Sequence, residues 1–105
     1  MNEQKVFKSM VTKVCSSLRM VTGVRAEINR KSVQVSIDAK GTKKSKRLKN
    51  FARKIRQLER DIKKTFPHRQ VFIHIWATDK KSSLHKVSKP FRGRDIIIFN
   101  DPVRF

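Results

Sequence analysis

Hydrophobic residues recur at spacings of three and four positions in two segments, and this spacing predicts two amphipathic helices, over residues 3–20 and 43–66. We expect Gly23 to supply a left-handed cap after the first helix and Pro67 to end the second. Thr42 is a candidate N-cap for the second helix. The apolar positions of the first helix are Val6, Phe7, Met10, Val11, Val14, Cys15 and Leu18. Those of the second helix are Leu48, Phe51, Ala52, Ile55, Leu58, Ile62 and Phe66.

Elsewhere the hydrophobic period is two, which predicts strands. Two alternating runs on either side of residues 29–32 predict a β-hairpin with one apolar face. Residues 70–76 predict a third strand, and residues 96–99 predict a short fourth strand or an apolar strap. The inward apolar positions are Val24, Ala26 and Ile28, then Val33, Val35 and Ile37, then Val71, Ile73 and Ile75.

The order α-β-β-α-β, with a possible further β, predicts an α+β fold. Burial of every apolar face is simplest in a two-layer sandwich, with both helices on one face of a three- or four-stranded sheet. We expect residues 1–78 to form this αββαβ domain. Residues 79–105 would add a basic arm and the short C-terminal strand to the same domain.

The charge of the chain indicates which class of partner it binds. The chain has 105 residues, a net charge of +19 and 27 Lys and Arg against 8 Asp and Glu. Such a balance is typical of nucleic-acid-binding domains, although acidic proteins and anionic membranes are also attracted to it. We expect no membrane association, because the apolar stripe of the second helix is needed for the core.

The second helix concentrates this charge, since residues 40–64 hold twelve Lys and Arg against only Glu59 and Asp61. Most charged helix surfaces are simply solvated, but they usually mix both signs. Like charges on one helix repel each other unless a polyanion neutralises them. We therefore predict phosphate contacts from this helix, through Lys43, Lys44, Lys46, Arg47, Lys49, Arg53, Lys54, Arg56 and Arg60.

Two further basic segments are candidates for the same role. Residues 41–46 open the second helix with a glycine, hydroxyls and lysines, and can hold a phosphate or be an ordinary helix start. Residues 79–94 predict either a flexible arm that becomes ordered on nucleic acid or a loop without function. The cations of that arm are Lys80, Lys81, Lys86, Lys89, Arg92 and Arg94.

Phe72, His74 and Trp76 form an aromatic row on the outer face of the third strand. Such a row can stack bases, as it does in sheet-based single-strand binders. The alternative is that a dimer partner or the C-terminal segment 96–99 covers the row. We expect burial in one of these two ways, because Phe99 and Phe105 also need cover.

Signals for catalysis, metals and cofactors are weak. The three histidines lack metal-ligand spacing with each other or with Cys15, and the carboxylates are scattered. Cys15 lies on the apolar stripe of the first helix, which indicates core packing. We expect no catalytic activity, metal or cofactor. With one cysteine, no signal-peptide core and no apolar run of membrane length, we also expect a cytoplasmic location.

The element order and some short motifs resemble three families. Residues 3–76, with Val21–Ile28 entering the hairpin, are similar in order to the KH-like domain of ribosome-binding factor A, which implies binding of ribosomal RNA. Gly23–Ile28 and Val33–Asp38 resemble αββαβ ring-building and spore-lipoprotein domains, which implies protein assembly instead. Ile37–Gly41 followed by Ser45-Lys46 resembles Alba-type chromatin and RNA proteins, which implies a basic hairpin arm between the last two strands.

The sequence thus predicts a non-enzymatic nucleic-acid-binding protein, with RNA, ribosomal or otherwise structured, ahead of DNA. It is compatible with a homodimer or with membership of a ribonucleoprotein particle. The alternative from another class is a protein–protein module that binds an acidic partner or forms an oligomer.

Overall fold

Two helices and four strands follow one another in the order α-β-β-α-β-β. A computed structural model describes residues 2–40, 45–77 and 96–100. The helices are α1 (Glu3–Ser16) and α2 (Ser45–Thr65), and the strands are β1 (Val21–Ile28), β2 (Ser32–Ala39), β3 (Gln70–Ala77) and β4 (Ile96–Asn100). The predicted α+β class and element order are confirmed.

The strands form one mixed sheet in the order β1-β2-β3-β4. β1 and β2 are the predicted antiparallel hairpin, and their turn is closed by Asn29. The Asn29 side chain accepts hydrogen bonds from the backbone N–H groups of Lys31, at 3.1 Å, and Ser32, at 2.8 Å. β2 and β3 run parallel and are connected through α2, so the helix crosses over the sheet between them.

The core lies between the helices and one face of the sheet, as a two-layer sandwich requires. Every apolar position predicted for α2 is buried, and so are Val33, Val35 and Ile37 of β2 and Val71, Ile73 and Ile75 of β3. Phe7 of α1 stands edge-on to Phe66, just beyond α2, with ring centroids 5.9 Å apart at 89°. The two helices are thereby held side by side on the same face.

Arg69 ties the α2–β3 connection to the β1–β2 turn and to α1. Its Nε donates a 2.8 Å hydrogen bond to the Asn29 carbonyl, and its guanidinium pairs with the Glu3 carboxylate. The guanidinium also lies 5.4 Å from the centroid of the Phe66 ring. This arginine therefore has a structural role.

The end of the first helix differs from the prediction. α1 stops at Ser16 with Ser17 as its C-cap, and Gly23 lies inside β1 instead of capping the helix. Gly23 follows a register shift in the hairpin, and a Cβ there would lie 3.2 Å from Oδ2 of Asp38. The glycine therefore accommodates a close approach across the strands, a need that helical spacing does not reveal.

The alternation predicted for β1 is also partly wrong. Val24 pairs with Ile37, which is fully buried, but Val24 itself is 36% exposed. β1 is one of the two edge strands of the sheet, so its apolar side chains lie at the margin of the core. Ala26 and Ile28 are accordingly only half-buried.

The C-terminal apolar segment forms a strand, β4, which pairs in parallel with β3. The parallel pairing differs from the hairpin that the Alba-type resemblance implies. It also places β4 beside β3 in the sheet, and Phe72, His74 and Trp76 are each half-buried. The basic arm and the candidate cap Thr42 lie outside the described residues.

Candidate nucleic-acid interface

Five cations follow one another along the side of α2 opposite the core. They are spaced three, four, three and four residues apart, which aligns them on one helix face. We call them the basic stripe: Lys46, Lys49, Arg53, Arg56 and Arg60. Four of them are exposed and Arg56 is half-buried. With a rise of about 1.5 Å per residue, the stripe extends over about 21 Å.

The two acids of α2 do not neutralise the stripe. Glu59 is buried, with 1% exposure, and Nζ of Lys63 lies 3.8 Å from its Oε2. Asp61 lies on a different side of the helix and accepts a 2.9 Å hydrogen bond from Gln57. Within the described residues, no carboxylate pairs with a cation of the stripe. The stripe is therefore available to an external anion.

Polar neighbours order parts of the stripe without removing its charge. Arg53 donates a 2.9 Å hydrogen bond to the Asn50 side chain, and Arg60 donates one of 2.8 Å to that of Gln57. Both acceptors are amide oxygens, so the guanidinium groups keep their full charge. The remaining N–H groups of each fork can still donate to phosphate oxygens.

Arg47 and Lys54 belonged to the predicted set but lie away from the stripe. Helical spacing places Lys54 on the side that carries Asp61, and Arg47 beside it. Arg47 instead lines a hollow of about 220 Å³ between the end of α1 and the start of α2. The other residues of that hollow are Ser17, Leu18, Arg19, Met20, Asn50 and Phe51.

Arg19 is a site residue that the sequence analysis missed. It is exposed in the turn between α1 and β1 and shares the hollow with Arg47. Two guanidinium groups over an apolar floor can hold a phosphate together. No periodic signal marks Arg19, because a turn residue has no helical or strand pattern around it.

The start of α2 strengthens the positive potential. Its first turn contains no acid, although Asp and Glu are the residues that favour a helix N-terminus, and it carries Lys46 and Arg47 instead. Cations at this end oppose the helix dipole, so they raise the local potential at some cost in helix stability. An anion that approached here would relieve that repulsion.

The remaining predicted contacts lie outside the described residues. They are Lys43 and Lys44 before α2, and Lys80, Lys81, Lys86, Lys89, Arg92 and Arg94 of the arm.

The outer face of the sheet carries a second feature. Phe72, His74 and Trp76 are each half-buried, and the rings of Phe72 and His74 are tilted at 53° with centroids 6.4 Å apart. The helices cover the other face of the sheet, where the alternate residues of β2 and β3 are buried. The basic stripe and the aromatic row therefore lie on opposite sides of the molecule.

The remaining features of the described residues concern metal binding, thiol reactivity and membrane crossing. Among residues 2–40, 45–77 and 96–100, no group of three His, Cys, Asp or Glu side chains is placed to hold a metal ion. Cys15 is buried in the core, as predicted, and this burial raises the pKa of its thiol to about 11. No helix in the described part of the chain is sufficiently long and apolar to cross a membrane.

Comparisons of the chain with protein-family models, with curated proteins and with solved structures found no match. The three family resemblances of the sequence therefore stay predictions.

Proposed function

We propose that this protein is a non-enzymatic nucleic-acid-binding protein that contacts phosphates through the basic stripe of α2. The observation that carries this proposal is the alignment of five cations on one exposed helix face while Glu59 of the same helix is buried. A surface that only needed to be soluble would mix charges of both signs. This surface instead matches a linear polyanion.

Phosphate neutralisation explains how the stripe would bind. Each Lys or Arg that contacts a phosphate releases a condensed counterion, which favours binding without reading the sequence. Arg19 and Arg47 extend the positive surface past the start of α2. The cations of residues 80–94 would add contacts of the same kind.

Structured or ribosomal RNA is proposed ahead of duplex DNA. The support for this order is the resemblance in element order to ribosome-binding factor A, together with the aromatic row on the sheet face opposite the helices. An acidic protein partner would also be attracted to the stripe, and it is the alternative that the experiment has to exclude.

The test is a salt titration of binding to a structured RNA and to a DNA duplex of equal length, followed by fluorescence anisotropy. We expect the logarithm of the association constant to fall with the logarithm of salt concentration, with a slope magnitude above about 5. The ligand that binds more tightly identifies the preferred class. Negligible affinity for both at low salt would contradict the proposal and direct the search to an acidic protein.

A further inference from the structure

We propose that the face of the sheet opposite the helices binds the bases of a single-stranded nucleic acid, with one base held in a hollow beside Trp76. This inference rests on the proposed function, because it identifies the form of nucleic acid that the protein binds. It adds a site on the side of the molecule opposite the basic stripe.

The hollow has a volume of about 180 Å³ and is built from three adjacent strands. Hairpin register sets Arg25 beside Ser36 and Glu27 beside Gln34. Trp76 of β3 closes the other side. The described residues that line it are Arg25, Glu27, Gln34, Ser36 and Trp76. One aromatic wall is thus combined with several polar side chains.

These polar groups fit a base better than a phosphate. A phosphate only accepts hydrogen bonds, so the carboxylate of Glu27 would repel it. The edge of a base both donates and accepts, and Arg25 can donate, Glu27 can accept, and Gln34 and Ser36 can do either. The indole ring offers the flat face on which a base stacks.

The aromatic row continues from the hollow along β3. Gln34 lines the hollow, and its amide Nε2 lies 3.4 Å from Nδ1 of His74. The polar side of the hollow therefore contacts the aromatic row. Phe72 and Trp76 are four residues apart on one strand, a distance of about 13 Å. That length allows neighbouring bases of an unpaired strand to contact successive rings, whereas paired bases are stacked inside a duplex.

Charge decides between nucleic acid and a second copy of this chain as the occupant. Two copies would each bring a net charge of +19, and their repulsion opposes an interface between these faces. A nucleic acid has the complementary charge. Burying the hollow against an apolar protein surface would also leave Arg25 and Glu27 desolvated, which is costly.

The experiment compares a single-stranded oligonucleotide with an abasic strand of the same length and backbone. Trp76 is the only tryptophan and the chain has no tyrosine, so its fluorescence reports on the hollow directly. We expect the strand with bases to quench Trp76 and to bind about 5- to 100-fold more tightly than the abasic strand. The abasic strand should still bind through its phosphates, without quenching.

Variants separate this site from the stripe. Trp76→Leu and Phe72→Leu should lower affinity for the strand with bases and leave that for the abasic strand unchanged. The triple change of Lys49, Arg53 and Arg60 to Gln should weaken both ligands by a similar factor and preserve their ratio. The wild-type comparison of the two strands does not depend on whether a variant folds.

Three results would overturn the proposal. Equal affinities without quenching would leave phosphate binding intact and remove the base site, so the proposed function would survive alone. Absence of binding to both strands would remove the base site and the proposed function together. A dimer in sedimentation that dissociates on Trp76→Leu would show that a second copy covers this face.

Discussion

The Glu59 carboxylate lies 3.8 Å from Nζ of Lys63, on the side of α2 that faces the core. Glu59 is 1% exposed, whereas the Lys63 side chain is 49% exposed. Because the acid is buried and pairs with Lys63, it does not neutralise the cations of the basic stripe. Lys63 therefore has a structural role, whereas no cation of the basic stripe has a carboxylate partner among the described residues.

Lys63 and Lys49 should respond differently to the same substitution. Lys63→Met keeps the aliphatic stem but removes the cation that pairs with Glu59, so we expect it to lower the free energy of unfolding by about 1 kcal/mol. Lys49→Met should change stability by less than about 0.5 kcal/mol. Urea denaturation of both variants measures the difference, and equal effects would mean that the buried acid does not depend on Lys63.

Substitutions at Val35 and Val24 test whether β1 lies at the margin of the core. Val35 is fully buried and Val24 is 36% exposed, although both are apolar positions of the hairpin. Val35→Thr buries a hydroxyl group and should cost about 1–3 kcal/mol. Val24→Thr should stay within about 0.5 kcal/mol, since its hydroxyl can reach water. A large loss of stability for Val24→Thr in thermal or urea unfolding would contradict the exposure of Val24 at the sheet edge.

The pair of Glu3 and Arg69 predicts a pH dependence of stability. The hydrogen bond and charge of Arg69 hold the pKa of the Glu3 carboxyl below its ordinary value. A lowered folded-state pKa stabilises the protein above the unfolded-state pKa, and this contribution is lost as pH falls through the folded-state value. Glu3→Gln should therefore be less stable than the wild type at neutral pH.

The difference in stability between the wild type and Glu3→Gln should disappear at low pH. Urea midpoints of wild type and Glu3→Gln, measured at neutral pH and near pH 3, would show this convergence. A difference that persists unchanged at low pH would mean that the variant acts through something other than the ionised pair.

Cys15 should be nearly inert in the native protein. It is 5% exposed, and burial raises the pKa of its thiol to about 11. Because the thiolate is the reactive form, alkylation at pH 8 should be about a hundredfold slower in the folded protein than in denaturant. Mass spectrometry after timed alkylation gives both rates, and similar rates would show that the core around α1 opens readily.

Much of the fold follows from sequence periodicity. Phe51 and Ile55 of α2 and Val35 of β2 were predicted to be in the core, and all three are buried. Their spacing is sufficient because a helix and a strand repeat their buried side at fixed intervals. Gly23 was misplaced because the register shift and the approach of Asp38 depend on two strands that are distant in sequence.

The candidate site was only partly predictable. Residue type identified the cations of α2, but the orientation of Glu59 towards the core could not be read from its position among charged neighbours. Arg19 joins Arg47 only when the chain folds, because the two lie in different elements. The position of β4 beside β3 likewise depends on strand pairing and not on hydrophobicity.

The central claim is that the basic stripe, and not net charge alone, binds nucleic acid. The direct test compares two triple variants that lower the net charge equally. One changes Lys49, Arg53 and Arg60 of the stripe to Gln, and the control changes Lys5, Lys8 and Lys13, all exposed on α1, to Gln.

The measurement is the salt dependence of binding to one RNA for the wild type and both variants. We predict that the stripe variant lowers the slope magnitude by about 3 and weakens binding, while the control lowers the slope by less than about 1. Equal changes in the two variants would contradict the account, because binding would then follow total charge and not the arrangement of cations on α2.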